Sequence, residues 1–189
     1  MSFLLMPEPF SARRFFLGRS TLVLSGAAVA LLAGNEALAA ASDDADPKDV
    51  QILNSALGAE LEAIAAYQLS AESKLLQPLV LDLALTFQGH HKAHAAVLAK
   101  TVEQLGGKPV AAEAHYDFPV AQLKSQADVL RFAAKLEQGA VSAYLAAVPM
   151  FGNRELAKAA ASILGDEAMH WAVLRQAVGE APVPQAFMA

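Results

Sequence analysis

The stretch Gly165-Asp166-Glu167-Ala168-Met169-His170-Trp171 sets a carboxylate and an imidazole three residues apart, a spacing that puts both on one face of a helix. Around them Leu156, Ala160, Ile163, Leu174 and Ala177 recur at helical spacing, so Glu167 and His170 fill a gap in an apolar stripe. The same arrangement occurs three more times. Val50, Leu53, Leu57, Ile64 and Tyr67 are interrupted by Glu60, and Val80, Leu83, Phe87, Leu98, Val102 and Leu105 by His91 and His94. Leu130, Ala133, Val141, Tyr144 and Val148 are interrupted by Glu137. The pattern predicts four helices, each turning a polar residue toward the core. Burying a carboxylate without a partner costs several kcal/mol, and the simplest compensation for four such helices is a cation.

Local signals delimit the helices. Asp46-Pro47 offers a cap and a proline at the first helical position, predicting a helix from about Pro47 to Glu72. Pro78 can open the second, which Gly106-Gly107 and Pro109 stop. Residues 106–124 have no sustained period, and Ser125 with Asp128 reads as the cap of a third helix. Pro149 limits that helix, since a proline deep in a helix loses a backbone bond and clashes with the preceding turn. A fourth helix is expected to start near Asn153 and to end at Gly179 and Pro182. Two short turns flanking one long connection describe two antiparallel hairpins joined by a crossover, with a plain up-down bundle as the alternative.

The chain also repeats itself. Glu60 and Tyr67 recur 77 residues later as Glu137 and Tyr144, and His91 and His94 recur 76 residues later as Glu167 and His170. The halves can therefore present ligands about a pseudo-twofold axis. The alternative for these six residues is a buried hydrogen-bonded network without an ion. Tyr67 and Tyr144 are candidate donors to a ligating carboxylate or redox-active phenols, or else core residues with satisfied hydroxyls. His90, about 100° around the helix from His91, is placed at the rim. His115 is expected to be exposed, Asp166, Glu62 and Glu103 to lie on solvated faces, and Trp171 to pack.

At 189 residues and 55% hydrophobic content the chain has material for one domain and its core. The net charge of −5, without a Lys/Arg block, argues against nucleic acid as a partner. The absence of cysteine excludes disulfides and thiolate ligands, leaving Glu, Asp and His for any metal. No Gly-rich phosphate loop or nucleophile elbow is present. Arg13-Arg14 followed by the apolar stretch Thr21 to Ala33 and by Ala37-Leu38-Ala39 reads as a signal peptide with cleavage after Ala39. The apolar stretch is short of the roughly 20 residues of a membrane span, so an anchor is the lesser reading. This divides the chain into a signal segment, 1–39, and a bundle domain, 40–189. Without Arg13, Arg14, Arg19, Glu8 and Glu36 the mature part keeps 11 basic and 17 acidic residues, a net charge of −6.

Arg13-Arg14-Phe15-Phe16-Leu17 resembles the twin-arginine signal, although Ala12 and Gly18 depart from the favoured Ser and Lys. The resemblance implies a translocase partner, folding before export and a periplasmic destination. A Glu from each of two helices and a Glu-x-x-His from each of the others is the ligand pattern of ferritin-like di-metal carboxylate proteins, and residues 46–180 resemble that superfamily. Phe87-Gln88-Gly89-His90-His91-Lys92-Ala93-His94, leading to Leu105-Gly106-Gly107-Lys108-Pro109, looks like the exported bacterial ferritin-like domain proteins. The resemblance implies a ferritin-like four-helix bundle, with Glu60 and Glu137 as single-carboxylate ligands, Glu167 as a bridging carboxylate and His94 and His170 as imidazole ligands. His91 stands where the second bridging Glu is expected. Three carboxylates leave two divalent ions with a net +1, and a neutral imidazole cannot bridge. An asymmetric two-metal site, a single metal and a relic site all remain open. The implied cofactor is one or two divalent ions, iron or manganese, with the imidazoles also suiting zinc or copper.

The implied function is an oxidoreductase of catalase, peroxidase or ferroxidase type acting on peroxide, oxygen or ferrous iron, with Tyr67 and Tyr144 as the catalytic residues. A non-catalytic bundle, as a metal carrier, envelope-stress or structural protein, is the rival. Iron storage would require a cage of subunits, and a homo-oligomer stays open.

Overall fold

The computed structural model describes residues 46–187. The signal-peptide and cleavage readings concern residues outside that range. Four helices follow in order: α1 Pro47–Glu72, α2 Pro78–Gln104, α3 Gln126–Ala147 and α4 Arg154–Ala177. The described residues contain no strand, so the fold is all-α.

The starts of α1, α3 and α4 rest on side-chain caps that satisfy otherwise orphaned N–H groups. Asp46 accepts from the Lys48 N–H ahead of Pro47, and Ser125 from that of Asp128. Asn153 accepts from Glu155 and Leu156. Val148–Met150 tightens into a 3-10 turn around Pro149. At the end of α2, Gly106 adopts φ +73, and a Cβ on Gly107 would stand 2.6 Å from Val50 Cγ1, so only glycine fits there. Ala177, assigned to the apolar stripe of α4 from the sequence, is exposed because the core side of that helix ends with Leu174.

α1 packs along α2 and α3 along α4, giving two hairpins, while α1 meets α3 more sparingly. Asn54 binds the crossover at its start, donating to the Lys108 carbonyl at 3.0 Å and accepting from Val110 N–H at 2.9 Å. At the far end Gln126 Oε1 accepts from Gln77 N–H, just before α2. Since Asn54 and Gln77 lie near opposite ends of α1, the crossover runs along the bundle, as in ferritin-like layouts. Asp49 closes the bottom: its buried carboxylate accepts from Gly152 and Asn153 N–H at 2.8 and 2.9 Å, tying the start of α1 to the α3–α4 turn.

The core is split in two. One apolar cluster gathers Leu53, Leu57, Leu98, Val102, Leu156 and Ile163, the other Tyr67, Phe87, Leu130, Trp171 and Leu174. Between them lies the polar layer contributed by the gap residues of all four helices. No described helix is long and apolar enough to cross a membrane.

Candidate metal centre

Glu60 comes from α1, His91 and His94 from α2, Glu137 from α3, and Glu167 and His170 from α4; all six are buried. They form two overlapping sets whose donor atoms lie within 4.8 Å of one another: Glu60, His91, His94 and Glu167, and His91, Glu137, Glu167 and His170. Each set has its own Glu and its own outer His, and they share Glu167 and His91. That is the pseudo-twofold arrangement the 76- and 77-residue repeats predict.

The tyrosines cross between the halves. Tyr67 on α1 donates to Glu137 Oε1 on α3, and Tyr144 on α3 donates to Glu60 Oε1 on α1 at 2.6 Å. Burial, and then the adjacent carboxylate, push both phenols well above the ordinary range, so they stay protonated donors.

His91 occupies the axis facing Glu167. Its Nδ1 is 2.7 Å from Glu60 Oε2 and its Nε2 is 3.3 Å from Glu137 Oε1. Burial opposes its protonation, but hydrogen bonds and charge from Glu137, Glu60 and Glu167 outweigh that and raise it to about 10. For His94 burial is likewise overcome, by Asp166, Glu167 and Glu60, which raise it to about 11. His170 is also raised, by Asp166, Glu137 and Glu167 against burial. Reciprocally, Glu60 is held down to about 2 by His91 and His94 in spite of burial, and Glu137 is lowered by His170 and His91. Burial wins only at Glu167, whose carboxyl is raised. A centre this acidic draws cations, and protons serve where nothing else is bound.

The residues fit a metal ion by a direct observation. Five buried donor atoms make no well-directed hydrogen bond: His94 Nδ1, His170 Nδ1, Glu137 Oε2 and both oxygens of Glu167, although His94 Nδ1 stands 3.1 Å from Glu167 Oε1 and His170 Nδ1 3.3 Å from Glu167 Oε2. Such orphans cost about 1–3 kcal/mol each, more when charged, and all belong to the two overlapping sets. The fit is asymmetric, because the shared imidazole can ligate only one ion of a pair.

Asp166 departs from the solvated face expected for it. It is 9% exposed, and its Oδ2 lies 3.4 Å from His94 Nε2, 3.3 Å from His170 Nε2 and 3.1 Å from His90 Nδ1. One carboxylate thus sits on the outer nitrogens of both imidazoles whose Nδ1 atoms are orphaned, the arrangement that fixes the tautomer leaving Nδ1 for a metal. His90 is at the rim, yet its Nδ1 is 2.8 Å from His170 Nε2, and with Asp166 and His170 it makes a third group able to hold an ion. The repeat carried a signal for both, since Asp166 lies 76 residues after His90. Phe87 stacks on the His170 ring at 4.1 Å. Glu62, Glu103 and His115 are exposed and Trp171 is packed in the core, as read from the sequence.

Two helical hairpins clasping a buried carboxylate–imidazole cluster define a ferritin-like bundle with a candidate metal centre. The ferritin-like domain family matches residues 48–180, and the chain belongs to it. Among solved structures it is similar to a conserved hypothetical protein, rv2844, from Mycobacterium tuberculosis, at 25% identity over 74% of this chain and 96% of that one, with a TM-score of 0.65. It is also similar to ferritin-like, diiron-carboxylate proteins from Bacillus anthracis str. Ames, at 20% identity over 69% and 94% of the two chains and a TM-score of 0.60. No curated protein matches the chain.

Proposed function

We propose that this chain is an exported metal-binding protein whose centre takes one or two divalent ions, iron or manganese first, and that it is an oxidoreductase for peroxide, oxygen or ferrous iron. The observation that supports metal binding most directly is the group of five orphaned donor atoms. Glu60, His94 and Glu167 would hold one ion, Glu137, His170 and Glu167 the other, with His91 serving one of them. When bound, such ions supply Lewis acidity and, for iron or manganese, one-electron redox chemistry.

The chain's own residues prepare that chemistry. Tyr144 and Tyr67 hold one oxygen each of Glu60 and Glu137, fixing the two carboxylates across the centre. Asp166 orients His94 and His170 from outside. The two apolar clusters exclude water from either end. Tyr67 and Tyr144, as phenols against ligating carboxylates, are the proposed carriers of electrons to or from the centre. Arg13-Arg14 and the cleavage pattern at Ala39 make the twin-arginine translocase the proposed export partner and the periplasm the proposed location.

One observation favours the rival. His91 spans Glu60 and Glu137 by itself, so protons alone could balance the site in a non-catalytic bundle. Metal analysis of protein purified from periplasm separates the two. We expect stoichiometric metal, activity on hydrogen peroxide or ferrous iron that chelation abolishes, and a sharp fall in bound metal in Glu137→Ala with helix content retained. Baseline metal in both wild type and variant, in stably folded protein, would overturn the metal reading and support the rival. Sizing of the same sample distinguishes a single bundle from a homo-oligomer.

A further inference from the structure

α1 and α3 face each other across small side chains. Ala59 and Ala63 on α1 oppose Gly139, Ala140 and Ala143 on α3, and a cavity of about 400 Å³, open on one side, lies between them. Its inner end reaches His91 and Glu137. Phe118 and Pro119 of the crossover and Phe132 of α3 form its outer wall. The Phe118 ring stacks on Tyr116 and meets Phe132 edge-on, each pair 5.7 Å apart. The crossover therefore brings aromatic rings to an opening that leads to the centre.

The size decides what kind of molecule this space suits. A cavity of about 150 Å³ takes benzene, and a water's share of liquid volume is about 30 Å³. Dioxygen or peroxide would leave most of this cavity empty, whereas it lies within the roughly 300–1,000 Å³ of organic-ligand sites. The chemistry narrows it further. The walls are methyl groups and aromatic rings, which suit a flat apolar body. The inner end is lined by Glu137, whose Oε2 is buried behind the wall without a hydrogen-bond partner, so a hydroxyl there meets an acceptor once that side chain turns toward the cavity. At the mouth the charges of Glu62, Asp117 and Lys135 are of both signs and set no demand for a charged ligand.

We propose that the cavity between α1 and α3 binds a neutral aromatic alcohol of the phenol or quinol class, with its hydroxyl toward Glu137 and His91 and its ring beneath Phe118 and Phe132. As a substrate site this rests on the metal reading above; as a binding site it does not, and the test reads binding alone.

The purified full chain, metal-free and metal-loaded, is titrated with p-cresol by NMR, with toluene as the probe lacking the hydroxyl. We expect saturable p-cresol binding, shifts centred on Ala59, Ala63, Phe118, Phe132 and Ala140, and toluene bound at least several-fold more weakly. Ala140→Phe and, independently, Ala63→Leu should weaken p-cresol at least tenfold with helix content unchanged. No saturable binding in either form, or unchanged affinity in whichever filled variant folds, overturns the site. Toluene binding as tightly as p-cresol overturns the ligand class. A chain that binds p-cresol but takes up no metal keeps this site and removes the metal reading.

Discussion

Glu167 has His94 Nδ1 at 3.1 Å and His170 Nδ1 at 3.3 Å and is still raised by burial, while the three imidazoles around it are raised by the surrounding carboxylates. In the metal-free chain, the stability that His91 and His94 contribute is complete below their ordinary 6.5 and is lost as pH rises through about 10 and 11. Glu60, held at about 2 against an ordinary 4.5, contributes above 4.5 and loses that as pH falls toward 2. The metal-free urea midpoint should therefore be highest between about pH 4.5 and 6.5 and decline to either side. Metal must displace these protons, so binding at neutral pH should release them and tighten as pH rises. Calorimetry in two buffers of different ionisation heat measures the release. Asp166→Asn keeps every proposed ligand but weakens the anchor of His94 and His170, and an affinity loss of about 10–100-fold is expected. Titration of wild type and variant with one divalent ion, with saturation still reached in the variant, checks it. The six gap residues were legible in the sequence because each breaks an apolar period on its own helix. Asp166 was legible only through the repeat that pairs it with His90, since one residue away from the ligand face looks like solvent until a neighbouring helix is placed against it.

At the scale of elements, each helix start but that of α2 is written in a side-chain cap, and Pro149 marks the end of α3, so the helix limits could be read almost to the residue. These are interactions within a few positions of chain. Asp49 belongs to another kind. It lies in the first turn of α1, where an acidic residue reads as ordinary helix-end chemistry. In the fold its two oxygens hold the N–H groups of Gly152 and Asn153, more than 100 positions away. Asp49→Ala should cost about 2–3 kcal/mol, because two partly buried donors lose charge-assisted hydrogen bonds. Urea denaturation measures it, and the loss should be present with and without metal, since Asp49 is outside the centre.

Across the whole molecule, two hairpins and a crossover along α1 put the centre at mid-height between two apolar clusters. Short turns and one long connection in the sequence were enough to anticipate this arrangement, since chain length limits which helices can be immediate antiparallel neighbours. Export belongs to the same scale, because a folded bundle must cross if the twin-arginine reading holds. Replacing Arg13 and Arg14 together by Lys should abolish the mature form outside the cytoplasm, scored by immunoblot of periplasmic fractions. Continued export in a strain lacking that translocase would sink the reading.

The sequence by itself determined the helix limits, the inward faces and the repeat relating the two halves, all of which depend on spacing along one axis or on neighbours a turn away. Only the tertiary structure decided that Tyr67 serves Glu137 and Tyr144 serves Glu60, that Asp166 gathers the outer nitrogens of two imidazoles, and that a cavity opens between α1 and α3. A helical period sets a side chain's direction about its own axis. It does not set the rotation and height of one helix against the next, and those two quantities choose the partner.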